Sequence, residues 1–347
     1  MQQTAVSSLN ISLHDLPALT MFRIRLRWLM ILTLLTLCGF LAAAFWGGTQ
    51  LASPTRRALQ DYHLDFLANP SAHGVSVRHF HLSDRTPCLI IEPLPSGTLG
   101  SRGQRLRSQL LAEKIDFPAP GKILGTLVLV HGRTGRKEDY LLIAERLCAV
   151  GFRCLLPDMP AHGEHPEACV TYGIREAGIP ARTLKESAEQ FNFQSAPSGL
   201  LGMSMGGAVA MQTAAMPKCP WKALVIISSF DRLETAIQKN VSDLAGPTLG
   251  HIWAQMSGWV YEWKTGIRLQ DIRSDLPAQK ISTPTLITHG ADDHVIPISS
   301  GVRLFAALPE ALEKRWIVIP KADHANVLIT DFPIYAEIAK WMLNHIG

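Results

Sequence analysis

The 347-residue chain lacks internal repeats and low-complexity tracts, which excludes repeat arrays. No block of Lys and Arg interleaves with aromatic residues, and the formal net charge is only +4, so nothing supports nucleic-acid binding. Its six cysteines are scattered without a C-x-x-C spacing, and no metal site is expected from them. Cys88, Cys148 and Cys154 lie in apolar stretches where a thiol packs as a small hydrophobe. An exported domain could oxidise some pair of cysteines, but the spacing selects none. No cofactor is expected either. Charged residues are sparse at 18% against 47% hydrophobic, enough for a large core in one domain of about 280 residues with an appendage.

What is present in excess is one apolar run near the N-terminus. Residues 28–46 carry no charge, and such a length is close to the ~20 residues that cross a hydrocarbon core as a helix. Leu, Ile and Phe occur on every helical face of it, whereas a surface helix would need a polar stripe. We expect a tail at 1–27, a transmembrane anchor at 28–47 and a polar, helix-compatible neck at 48–72. The alternative is a cleaved signal sequence, with Ala42-Ala43-Ala44 as its small-residue site and a secreted product. Arg23, Arg25 and Arg27 precede the run while Arg56 and Arg57 follow at a distance, so the positive-inside tendency places the following domain outside the cytoplasm.

Beyond the neck, residues 75–82 and 87–91 read as an antiparallel entry hairpin. The segment 95–121, with Gly, Ser, Pro and Arg102, Arg105 and Arg107, reads as a solvated surface excursion or short helix rather than core. A contact with anionic lipid headgroups is its second reading. Then Thr126-Leu127-Val128-Leu129-Val130 has the continuous apolar character of a strand buried on both faces. It runs into His131-Gly132-Arg133-Thr134-Gly135, a turn whose backbone N–H groups are placed to stabilise an oxyanion. A helix over 140–150, a strand over 152–156 and a loop at Asp158-Met159-Pro160-Ala161-His162-Gly163 continue the alternation of a parallel α/β sheet. His131 and His162 each precede a glycine in a turn, where imidazole more often bonds the loop than acts as a base.

The chain is organised around Gly202-Met203-Ser204-Met205-Gly206-Gly207, which follows the apolar Gly199-Leu200-Leu201. A serine between glycines at the end of a strand reads as a nucleophile elbow, a strained turn that lifts the hydroxyl above the sheet edge with a helix behind it. Two further strands, over 284–288 and 315–319, end in His289-Gly290-Ala291-Asp292-Asp293-His294-Val295-Ile296-Pro297 and in Lys321-Ala322-Asp323-His324-Ala325-Asn326.

In that order these motifs resemble the α/β-hydrolase superfamily over residues 73–347, and within it the small-capped serine hydrolases of the serine aminopeptidase, monoacylglycerol lipase and dienelactone-hydrolase-like groups. The resemblance implies a mostly parallel sheet with helices on both faces and a small helical cap at about 231–280. It implies Ser204 as nucleophile, His324 as base and Asp293 as the acid that orients it, with Asp292 and Asp231 as contenders for the acid. The oxyanion donors would be the backbone N–H groups of Arg133 and Met205. Where similar proteins often have arginine before His-Gly, this chain has Pro160-Ala161, which leaves substrate class open. Trp253, Trp259 and Trp263 either pin the cap or line an apolar substrate pocket. The expected activity is hydrolysis of a carboxylic ester or thioester, lipid-like substrates included, with a peptidase or amidase and an acyltransferase as alternatives. Since each candidate group follows Val130, removal of residues 1–48 is expected to leave an active enzyme.

Overall fold

The computed structural model describes residues 16–347, so the greater part of the predicted tail, residues 1–15, lies outside the described residues. Two helices precede the sheet: α1 (Leu16–Ala52) and α2 (Asp61–Ala68). The antiparallel strands β1 (Val75–His81) and β2 (Pro87–Pro93) form the entry hairpin, and α3 (Ser101–Ala112) follows. The alternating part then runs β3 (Gly125–Val130), α4 (Leu141–Cys148), β4 (Phe152–Pro157), α5 (Ile179–Phe191), β5 (Ser198–Met203), α6 (Met205–Ala214) and β6 (Trp221–Ile227). Three helices, α7 (Leu233–Ala245), α8 (Pro247–Thr265) and the short α9 (Asp275–Ala278), are inserted before β7 (Thr285–Gly290). The chain closes with α10 (Ile298–Ala307), β8 (Lys314–Ile319) and α11 (Ile334–Ile346).

The eight strands lie in the order β1-β2-β4-β3-β5-β6-β7-β8, with every neighbouring pair from β4 to β8 parallel. Side chains on a strand alternate between faces, and β3 divides accordingly. Val128 and Val130 join the core beneath α5 and α6, while Leu127 and Leu129 join the one beneath α3, α4 and α11. All six residues of β3 are buried, which is why its sequence is continuously apolar instead of alternating.

The structure departs from the sequence-based expectation in two places. Segment 95–121 is not simply a solvated excursion, because α3 presents Leu106 and Leu110, one turn apart, to the core and packs on α4. Two of its three arginines bond within the protein: Arg102 pairs with the buried Glu145, and Arg107 donates to the carbonyls of Pro118 and Ala149, while Arg105 is exposed. The second departure concerns the anchor and neck. Helix α1 does not stop at residue 47 but continues to Ala52, and it docks on the globular part instead of standing free. Phe40 is partly buried, and Ala44, Gly47, Gly48 and Ala52 are buried, a spacing that marks one helical face. Neither Gly47 nor Gly48 has room for a side chain, since a Cβ would strike Trp253 and the Ser257 backbone of α8.

The C-terminal carbonyls of a helix have no partner within the helix. In α1 the globular part supplies them: Arg133 Nη2 donates to Gln50 O (2.8 Å), Tyr172 Oη to Leu51 O (2.9 Å), and Val170 N to Ala52 O (2.9 Å). The guanidinium also faces the negative end of the helix dipole.

Candidate active site

Strand β5 ends at Met203, and the next residue, Ser204, has φ 54° and ψ −120°, a left-handed conformation that costs a non-glycine residue of order 1–3 kcal/mol. Its neighbours leave no alternative. A Cβ at Gly202 would meet the backbone of Gly206, and one at Gly206 would meet the Val130 carbonyl of the adjacent strand. Hydrogen bonds on both sides of the serine hold the turn: Ser204 N donates to Ile227 O (2.8 Å), and Ser229 Oγ donates to Ser204 O (2.9 Å).

Three residues from three strand ends meet there. His324 Nε2 lies 3.0 Å from Ser204 Oγ, and His324 Nδ1 lies 2.8 Å from Asp293 Oδ2. The loop after β8 presents the imidazole through Asp323, whose carboxylate accepts from the N–H groups of Ala325 and Asn326 at 2.8 Å each. Asp293 is itself fixed, because its Oδ1 accepts from Val295 N (3.0 Å) and Ile296 N (2.7 Å). Asp292 is exposed beside it and makes no contact with the imidazole. Asp231 is occupied elsewhere in a two-pronged pair with Arg303.

Met205 opens α6, where the first N–H groups of a helix have no intrahelical partner, and Arg133 sits in the turn after β3. His131 ties that turn to the loop after β4, and His162 bonds within that second loop. His131 Nε2 accepts from Met159 N (3.0 Å), and His162 Nδ1 donates to Pro160 O (2.8 Å). Burial and the neighbouring His131 push the pKa of His162 down to about 3, so it stays neutral across the physiological range.

The same turn is anchored by a buried ammonium. Lys137 Nζ reaches Asp158 Oδ2 (3.0 Å), Glu138 Oε1 (2.9 Å) and Glu164 Oε2 (2.5 Å), while Lys137 N donates to Asp158 Oδ1. Burial opposes its charge, but Asp158, Glu164 and Glu138 outweigh that and hold its pKa above the ordinary lysine value. Burial likewise pushes Glu138 up, and its bonds to Arg136 and Lys137 overcome this and hold it below the ordinary 4.5. A depressed carboxylate contributes stability above its unfolded pKa and loses it as pH falls through the folded value, so the Glu138 contribution is lost in acid. Lys137→Met leaves the buried Asp158 without its ammonium partner, while Glu138 keeps Arg136, and we expect it to cost about 3–5 kcal/mol in urea unfolding at neutral pH. An unchanged midpoint would show that the cluster contributes nothing to holding the turn.

Above Ser204 and His324 lies a cavity of about 570 Å³, in the range of small-molecule sites. Its walls are largely apolar, with Phe230, Leu233 and Ile237 on one side and Trp253 on another. Of the three tryptophans singled out in the sequence, only Trp253 lines it. Trp259 and Trp263 are 65% and 75% exposed and point away, because the buried face of α8 is set by Gly250, Ala254, Ser257 and Tyr261. The remaining wall comes from α1, through Trp46, Gly47, Gln50 and Leu51. Deleting residues 1–48 would take Trp46 and Gly47 out of that wall, a contribution that the sequence-based expectation did not include.

Sequence reasoning missed these α1 residues, together with Ser229 and His289. His289 Nε2 donates to Ile296 O (2.8 Å) and so closes the turn that carries Asp293, while burial keeps its pKa low. No motif announces any of them, since each acts through a contact distant in sequence or through the backbone.

A mostly parallel sheet with a serine at a strained elbow behind a central strand is the architecture of an α/β hydrolase. The chain belongs to the alpha/beta hydrolase family, whose sequence model matches residues 127–334. It is 28% identical over 228 residues to YitV of Bacillus subtilis (strain 168), whose name assigns it provisionally to the esterases, covering 57% of this chain and 82% of that one. Among solved structures it is similar to a Pyrococcus furiosus esterase, with TM-score 0.60, 15% identity and coverage of 85% of this chain and 100% of the other. A structure described as a membrane phospholipase A matches at TM-score 0.51 and 16% identity, over 92% of this chain and 98% of that one. At such identities these structures speak for the fold.

Proposed function

We propose that the protein is a membrane-anchored serine hydrolase that cleaves a carboxylic ester or thioester through an acyl-enzyme. The observation that carries this reading is the continuous relay from Ser204 Oγ through His324 to Asp293, at 3.0 and 2.8 Å, on the floor of an apolar cavity. With Asp293 accepting from Nδ1–H, Nε2 is left bare and accepts the Ser204 proton as Oγ attacks the substrate carbonyl. The N–H groups of Met205 and Arg133 receive the oxyanion. The imidazolium then protonates the leaving alcohol or thiol, and water, deprotonated by the same nitrogen, releases the acid. A largely apolar cavity favours an acyl chain over a charged peptide terminus.

Helix α1 is the membrane anchor in this reading. Its segment Thr20–Ala52 contains an 18-residue window of mean hydropathy 2.2 and is long and apolar enough to cross a bilayer. The arginines before residue 28 favour a domain outside the cytoplasm. The test is a panel of short esters, thioesters and aminoacyl amides with and without an acceptor alcohol. We expect ester or thioester turnover with release of free acid. Preference for the amides would favour a peptidase, and transfer to the alcohol would favour an acyltransferase.

A further inference from the structure

Helix α1 has 37 residues, about 55 Å at ~1.5 Å per residue, whereas a hydrocarbon core is only about 30 Å thick. The charges decide which part crosses. Each arginine near the centre of a bilayer costs about 2.5–3.5 kcal/mol even on the most lenient scales, so Arg23, Arg25 and Arg27 belong at the boundary and the uncharged 28–47 fills the core. Trp28 and Trp46, 67% and 64% exposed, stand near its two ends, where tryptophans collect at membrane interfaces.

The docked face of α1 nevertheless begins at Phe40, inside that segment. About 12 Å of helix is therefore both at membrane depth and packed on protein. Its partner there is α8: Ser257 Oγ donates to Ala44 O (3.0 Å), and Trp253 covers Gly47. Helix α8 thus lies at the level of the leaflet facing the domain, and its surface is suited to that position. Leu249, Ile252, Met256, Trp259 and Trp263 fall on one arc of about 80° at ~100° per residue, four of them exposed, adjoining the face that meets α1. The exposed polar residues His251, Gln255 and Glu262 lie together on a different arc. Trp46 is at once exposed and part of the cavity wall, so the cavity opens where the membrane segment ends.

We propose that the apolar arc of α8 sits in the bilayer interface and that the cavity between α1 and the α7–α8 pair takes the acyl chain of a membrane-resident lipid ester directly from that leaflet. This rests on the ester-hydrolase reading and on α1 crossing the membrane. The occupant of the arc is lipid rather than a protein partner because the exposed face is continuous with the membrane segment itself.

The test uses the full chain in dioleoylphosphatidylcholine vesicles containing monooleoylglycerol, with oleate release and hydrolysis of soluble p-nitrophenyl butyrate followed in parallel. Trp259→Glu with Trp263→Glu should lower oleate release by at least about tenfold while butyrate hydrolysis stays within about twofold. Vesicles of dibrominated phosphatidylcholine should quench the wild-type tryptophan fluorescence more than that of Trp259→Phe with Trp263→Phe. Unchanged oleate release, an equal fall on both substrates, equal quenching in the two proteins, or wild-type activity on butyrate with none on monooleoylglycerol overturns the proposal. Wild-type inactivity on both substrates would overturn the ester-hydrolase reading instead, and the quenching would still decide where α8 lies.

Discussion

Replacing Ser204 with alanine should lower kcat by about 10³ to 10⁶, the range found when the nucleophile of such a relay is removed, and should abolish labelling by a fluorophosphonate probe. The loss should be chemical rather than structural. The elbow is held by Ser204 N, by Ser204 O and by the glycines around it, all of which alanine preserves, and the Oγ makes its hydrogen bond to His324 alone. The thermal midpoint should therefore stay close to wild type. Labelling of a different serine in the wild-type chain, located by mass spectrometry, would overturn the assignment.

Asp293→Asn should cost about 10⁴ in kcat through the tautomer of His324. Asp293 Oδ1 accepts two backbone N–H groups, so the carbonyl oxygen of an asparagine must take that position and its NH2 must face the imidazole. The amide then donates to Nδ1, and the proton moves to Nε2, which can no longer accept one from Ser204. Asp231→Asn provides the contrast. Its buried carboxylate bonds Arg303 and not the imidazole, so activity should change by less than about tenfold. Asp292→Asn, at an exposed position, should change it less still. Greater damage from Asp231→Asn at equal folded yield would move the acid to the loop after β6.

The candidate catalytic groups were legible in the sequence because each is tied to a local backbone requirement that leaves a residue pattern. A strained elbow needs glycines on both sides of Ser204, and a turn at a strand end carries Asp293 within a short Gly-to-Pro segment. The parallel core strands were legible for a related reason: burial on both faces removes the alternation that a half-exposed strand would show. Helix α3 was allowed for as a short helix but not as part of the core, because three arginines in a Gly- and Pro-flanked segment conceal a short apolar stripe, and only packing on α4 reveals that Leu106 and Leu110 are its inner face.

The sequence favoured Asp293 but kept Asp231 as a contender, because both follow a strand; which carboxylate lies against the imidazole from a third loop is visible only in the tertiary structure. The same holds for the tryptophans. Composition marks Trp253, Trp259 and Trp263 alike, while the direction in which each points depends on which face of α8 meets the rest of the protein. Most of all, the sequence by itself determined that a long apolar helix precedes a hydrolase domain, since hydropathy and length are properties of the segment alone. That the last turn of that helix is capped by Arg133, Tyr172 and Val170, and that residues 46–51 form a wall of the cavity, was decided only in the folded molecule. Those contacts join residues about 80 to 120 positions apart, and backbone carbonyls, which every residue carries, accept them; no pattern of side chains could record the pairing.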